Sequence, residues 1–213
     1  AEGDLEARIN SFELAYRMQT DAREAFDIAG EKPETVAKYG ANAQGRQMLI
    51  ARRLLERGVR FVQVRQGGWD LHGGIAQRAA NNARQLDPAI GAIMDDLKER
   101  GLFEDTLIYI TSEFGRSPTE DGGGGRSHNA RGLSTVLMGG GIKGGIAYGS
   151  TDEIGGAAVE NKVHVKDIHA TVMDLLGFDH EQLTYRTAGR DFRLTQATRS
   201  LPQGGMPVKG IIA

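Results

Sequence analysis

Thr106-Leu107-Ile108-Tyr109-Ile110-Thr111-Ser112-Glu113-Phe114-Gly115-Arg116 is the stretch whose reading decides the fold. Its first six residues carry no charge and are mostly β-branched or apolar, which is the composition of a buried strand. The next five turn polar at once, so a carboxylate and a guanidinium follow directly on the strand's carboxyl end. Two other segments share the character of that strand. Upstream, Val59-Arg60-Phe61-Val62-Gln63-Val64 is β-branched and apolar-rich; downstream, the run from Leu133 to Met138 ends in Gly139-Gly140-Gly141.

The spaces between these strands read as helix. After the first strand comes a helix with a joint at Asp87-Pro88, whose second part carries Ile90, Ile93, Met94 and Leu97 and stops at Gly101. After the third, residues from Val165 to Leu176 place Ile168, Val172, Leu175 and Leu176 on one face, and Gly177 ends them. Residues 1–58 are also helical in pattern. Leu5, Ile9, Phe12 and Ala15 recur at helical spacing; so do Met48, Leu49, Ala51, Leu54 and Leu55, with Gly58 as a C-terminal cap and Arg52, Arg53 and Arg57 suited to the helix dipole. Strands alternating with helices predict an α/β protein with a mostly parallel sheet flanked by helices. We expect a helical segment at 1–58, a sheet core with site loops at 59–177, and an extension at 178–213. Within the core, Lys143 to Glu160 reads as a surface excursion.

Composition narrows the chemistry. The 213 residues include 26 basic and 28 acidic side chains for a net charge of −2, which excludes bulk electrostatic attraction to nucleic acid or anionic membrane as the main theme. With no cysteine there are no disulfides, thiolate metal sites or cysteine nucleophiles. Thirty glycines are about twice the usual share, so turns and loops are abundant. No apolar run approaches the ~18 residues of a membrane span. No signal-peptide, dinucleotide or GxxxxGK pattern is found. The start at Ala1 leads us to expect further residues upstream.

In such folds function gathers in the loops after strands, here 66–76 and 112–131. The first contains Gly67-Gly68-Trp69-Asp70-Leu71-His72-Gly73-Gly74. Alternate residues of an extended segment point to one side, so Asp70 and His72 can offer an oxygen and a nitrogen to one ion. The same pair is also what a turn aspartate beside a surface histidine looks like. Trp69 either stacks on a substrate ring or packs the loop. In the second loop Glu113 stands where a ligand or general base belongs, Arg116 and Arg126 suit a bidentate grip on an anion, and His128 is a further nitrogen donor. A flexible charged surface loop has this composition too. Asp167 has the position of a helix-capping residue, and His164 and His169 read as surface or packing histidines. His180 reads as exposed. Ser11 and Thr20 sit on the first helix and make poor nucleophiles.

The motifs as an ordered set resemble one bacterial family. They are Gly67-Gly68-Trp69-Asp70-Leu71-His72, Ser112-Glu113-Phe114-Gly115-Arg116, Gly125-Arg126-Ser127-His128, Val163 to Thr171, and Leu183 to Arg186 with Gly189-Arg190-Asp191-Phe192-Arg193-Leu194. The family is the domain of unknown function 1501, sulfatase-like, in the alkaline-phosphatase superfamily; the likeness runs from about Leu5 to the C-terminus. The resemblance implies that this is the C-terminal part of an alkaline-phosphatase/sulfatase-like domain whose nucleophile lies upstream. It implies a metal-dependent hydrolase of sulfate or phosphate esters, exported to the periplasm or beyond. Asp70, His72, Glu113 and His128 would hold a divalent ion (Zn, Ca, Mg or Mn), while Arg116, Arg126 and Trp69 would meet a small anionic ester or a sulfated glycan. Other partners would be the N-terminal portion or another copy of the chain, with neither nucleic acid nor a membrane span involved. Glu113-Phe114 stands where the superfamily usually has Asp-His, and Ser127 where relatives often have Asp. The alternative is a non-catalytic binding or surface-assembly protein that keeps the hydrolase scaffold.

Overall fold

The structure, a computed structural model, describes residues 2–198 and 202–213, with the side chains of 2–4, 17, 18 and 20–22 outside the description. The chain is mixed α/β and divides into two units, Ala1–Gly101 and Leu102–Ala213. The division falls inside the segment that the sequence reads as the sheet core.

The first unit is helical: α1 (Glu2–Phe26), α2 (Pro33–Tyr39), α3 (Ala43–Glu56) and α4 (Ile75–Glu99). Pro33 opens α2, where its missing N–H costs nothing. Asn42 caps α3 by accepting from the amides of Gln44 and Gly45 at 2.9 and 3.1 Å. Gly45 is required there, because a Cβ at that position would sit 2.0 Å from the Gly40 carbonyl oxygen. On α4, Ala89, Ala92, Ile93, Asp96 and Leu97 are buried at helical spacing. They form the core with Tyr39, Leu49, Ala51 and Leu71. The predicted joint at Pro88 is absent, and α4 is one helix with Pro88 inside it. The predicted face of α1 is also not buried: Leu5, Ile9 and Phe12 are exposed, and Ala15 with them.

Residues 59–64 do not form the expected strand. They are extended, and Val62 and Val64 alternate with exposed neighbours, but no ladder partner exists among the described residues.

The second unit carries β1 (Leu107–Ile110), β2 (Gly115–Asp121), β3 (Gly125–Asn129), β4 (Val136–Gly139), β5 (Ser150–Thr151), β6 (Ala158–Glu160), α5 (Val165–Leu175), β7 (Thr184–Thr187) and β8 (Arg190–Arg193). The strands pair as β1–β4, β2–β3, β5–β6 and β7–β8, each pair antiparallel. The parallel order expected from the sequence is therefore replaced, among the described residues, by four two-stranded antiparallel sheets. The reason lies in the connections. Loop 112–131 is itself a hairpin, turning on Gly123 and Gly124 at φ +72° and +75°, so β1 pairs with β4 beyond it rather than crossing over through a helix.

The helix α5 begins with a reciprocal cap. The His164 ring Nδ1 accepts from the Lys166 amide at 3.1 Å, and Asp167 Oδ2 accepts from the His164 amide at 2.8 Å. The capping role read for Asp167 holds. Asp167 Oδ1 also takes the amide of Met206 at 2.9 Å, and the buried Thr171 hydroxyl takes that of Val208. These bonds lay residues 205–208 along the helix. Lys143 N–H then donates to the Ile211 carbonyl and Ala213 N–H to that of Gly141.

Candidate functional site

In the first unit, the loop after residue 64 is held by amide side chains. Asn82 donates to the Gly68 carbonyl at 2.7 Å, Gln66 donates to the Asn82 carbonyl at 3.0 Å, and Trp69 Nε1 donates to Gln66 Oε1 at 2.9 Å. Trp69 thus has its polar edge satisfied within its own loop. Gly68 has φ +86°, which lets the chain turn into the extended stretch that follows. There Leu71 is 2% exposed. Burying Leu71 forces its two neighbours to the opposite side, as the period of an extended chain demands, so Asp70 and His72 both stand in solvent. Asp70 Oδ1 lies 3.0 Å from His72 Nε2.

That separation fits more than a hydrogen bond. Two donor atoms about 2.1 Å from one ion, at angles between octahedral and tetrahedral, lie roughly 3.0–3.4 Å apart. One carboxylate oxygen and one imidazole nitrogen suit zinc or manganese better than an all-oxygen ion such as calcium.

In the second unit, Glu113 is exposed just before β2. The next residue, Phe114, lies against His128 on β3, with ring centroids 4.2 Å apart and planes tilted by 35°. Arg116 faces His128 in the β2–β3 register. Its guanidinium lies 5.6 Å from the centre of the Phe114 ring, and Nη1 donates to the Arg126 carbonyl at 3.3 Å. Arg126 donates to the Gly125 carbonyl at 2.8 Å. Both arginines are half-buried and engaged with backbone. Phe114, Arg116 and His128 form one stacked cluster, and Glu113 is exposed beside it.

The remaining histidines have local duties. His169 is exposed on α5, and His180 Nδ1 meets the buried Thr195 hydroxyl at 2.9 Å, so His180 is half-buried rather than exposed as expected. Ser11 donates to the Ala7 carbonyl one helical turn back, as a helix-surface serine does; the side chain of Thr20 lies outside the described residues.

The sequence reads Arg52 and Arg53 only as helix-dipole residues and does not single out Tyr39 or Asp96, yet these build a buried polar network in the helical unit. Tyr39, Arg52 and Asp96 are 0%, 4% and 4% exposed. The Tyr39 hydroxyl donates to Asp96 Oδ2 at 2.8 Å and Lys38 Nζ donates to Asp96 Oδ1 at 3.2 Å. Arg52 pairs with Glu56 one turn on and with Glu31, each at 2.9 Å, and Arg53 pairs with Glu31 as well. Burial pushes the Tyr39 phenol upward, and its bond to the Asp96 carboxylate adds to the rise. Burial raises Glu31 too, but Arg53 and Arg52 outweigh it and hold the carboxyl below its ordinary range. A signal existed: Asp96 shares the helical spacing of Ala89, Ala92 and Ile93, so it had to face the core.

Clefts also lie elsewhere among the described residues. One of about 370 Å³ is lined by Val36, Asn42 and Leu49, and one of about 330 Å³ by Tyr148, Lys162 and Met206, each with neighbouring residues.

A mixed α/β chain with a carboxylate–imidazole pair on one unit and an arginine–histidine hairpin on the other defines a broad class. The comparison with families is specific: the family described as "Protein of unknown function (DUF1501)" matches residues 1–203, and the chain belongs to it. No curated protein matches the chain, and no solved structure does. No helix among the described residues is long and apolar enough to cross a membrane.

Proposed function

We propose that this chain serves a metal-dependent hydrolase of sulfate or phosphate esters, exported from the cell, with the sulfatase-like fold of the alkaline-phosphatase superfamily over the whole domain. The observation that carries this reading is the Asp70 Oδ1–His72 Nε2 separation of 3.0 Å, with the buried Leu71 turning both side chains outward. Asp70 and His72 are the ion-holding pair. By resemblance, Glu113 and His128 are further metal donors, and Arg116, Arg126 and Trp69 receive the substrate. A divalent ion in such a site neutralises the ester oxyanion and the leaving oxygen.

The test is elemental mass spectrometry of the purified full chain and of the Asp70→Ala/His128→Ala double variant. Stoichiometric zinc or manganese that disappears in the variant supports the reading and directs a screen of sulfate and phosphate esters. Absence of metal in both overturns it.

One observation favours the second reading, a non-catalytic binding protein on the same scaffold. Phe114 occupies a position where the superfamily usually supplies a histidine, and its ring packs on His128 at 4.2 Å. A metal-free protein that binds sulfated glycan without turnover would establish that reading instead.

A further inference from the structure

The helix α1 is 25 residues long, about 37 Å at the usual rise. Every residue from Leu5 to Ala15 is exposed, with Leu5, Ile9 and Phe12 at 60%, 49% and 76%. Among the described residues, the chain's own body buries the helix near its end. There Ala25 is fully buried, and Arg53 on α3 donates to the Ala25 carbonyl at 3.1 Å. A helical stretch without tertiary cover is marginal in water, because side-chain packing supplies most helical stability in proteins.

Four of the exposed apolar residues fall on one line: Leu5, Ile9, Phe12 and Tyr16 follow one another at spacings of four, three and four, the alternation of a two-helix seam, while Leu14 stands off it. With Ile9 and Tyr16 at the a positions, Leu5 and Phe12 fall at d. Arg8 then falls at g and Glu6 and Glu13 at e. These flanking charges choose both the occupant and its direction. In a parallel pair of identical helices each g residue meets the e residue of the partner's next heptad, so Arg8 meets Glu13 twice about the two-fold axis. In an antiparallel pair e meets e, and Glu6 would oppose Glu13. Continuing the same register puts Arg23 at an a position, opposite its own copy, where like charges end the seam. That is also where Ala25 returns to the body of its own chain.

We propose that α1 is a self-association surface: two copies of this chain pair in parallel through Leu5, Ile9, Phe12 and Tyr16, with Arg8 of each copy against Glu13 of the other. Fewer than two heptads of seam make a small interface, below the usual size of a permanent one, so the dimer forms in the micromolar range.

Sedimentation velocity of the full chain across a concentration series tests this, with circular dichroism to verify the fold of each variant. The wild type should pass from monomer to dimer over micromolar concentrations. Arg8→Glu and Glu13→Arg should each weaken the dimer about tenfold, and the double variant should recover wild-type association. Because Arg8 and Glu13 are exposed, these charge variants leave the rest of the unit intact; Phe12→Glu should abolish the dimer. A chain that stays monomeric to about 200 µM, well above what so small an interface requires, overturns the proposal. So does a dimer indifferent to the two charge reversals, or a monomer that instead floats with anionic phospholipid vesicles.

Discussion

Tyr39 and Asp96 share a hydrogen bond of 2.8 Å inside the helical unit, with the phenol of α2 donating to a carboxylate of α4 and both residues shielded from water. Asp96 is further contacted by Lys38 and by Arg52 of α3, so one buried carboxylate ties three helices together. A buried charge survives only when its lone pairs are occupied, which makes each partner of Asp96 costly to remove.

Tyr39→Phe should therefore destabilise the chain by about 1–3 kcal/mol, because it leaves a carboxylate oxygen in the core short of a donor. The pH dependence gives a second readout. The folded-state value of Tyr39 lies above its ordinary value of 10.0, so its contribution is present in full below about pH 10 and is lost as pH rises toward the folded value. Urea midpoints measured from pH 8 to 11 should fall for the wild type and fall less for Tyr39→Phe. Equal slopes would contradict this account.

Glu31 works in the opposite direction. Burial opposes its charge, but Arg53 and Arg52 more than compensate, and its folded-state value lies below the ordinary 4.5. The stability it adds is present above that pH and is lost as pH falls through the lower folded value. Glu31→Gln should lower the urea midpoint at pH 6 and narrow its gap from the wild type at pH 3; a constant gap would count against the mechanism.

Removing one member of the Asp70–His72 pair should act on metal binding without touching the fold, since both side chains are exposed at 64% and 47%. Saturating zinc should raise the Tm of the wild type, by mass action on the folded state. In Asp70→Ala and His72→Ala the affinity read by calorimetry should fall by more than about 100-fold, beyond the roughly 10–100-fold that an outer-shell contact costs. Unchanged affinity in both would remove these residues from the metal assignment.

Ala188 is a residue at odds with its backbone. It has φ +48°, and Gly189 after it has φ +75°, so the β7–β8 turn asks for the left-handed conformation twice in succession. Only Gly and Asn adopt it cheaply. Ala188→Gly should be stabilising by roughly 1 kcal/mol, the order of the left-handed penalty, seen as a higher Tm. A lower Tm would mean that the Ala188 methyl is stabilising in a way its backbone does not reveal.

Elements with strong periodicity were legible in the sequence. The patterns at Ile90–Leu97 and Ile168–Leu175 become helices, although the buried face of the first is Ala89, Ala92, Ile93, Asp96 and Leu97, and Leu107–Ile110 becomes a strand. What periodicity cannot report is a partner. Val59–Val64 has every local mark of a strand, yet a strand needs a second one beside it, and the segment is extended without a ladder. The hairpin at 115–129 was missed for the converse reason. Its strands are built from Arg, Ser, Thr, Glu and Asp, which propensity assigns to loops, while the signal that mattered was the turn chemistry of Gly123-Gly124. Of the candidate site, the convergence of Asp70 and His72 was readable from alternation. The packing of Phe114 on His128 was not, because it depends on hairpin register rather than on spacing along the chain.

Asp167 has one more consequence. Its two oxygens serve backbone amides far apart in sequence, His164 at the start of α5 and Met206 on the segment laid along it. Breaking either bond leaves the same carboxylate half-satisfied, so the helix cap and the segment open as one cooperative unit. Hydrogen exchange should report this as a shared protection factor for the two amides. In Asp167→Asn both should exchange faster, and by the same factor.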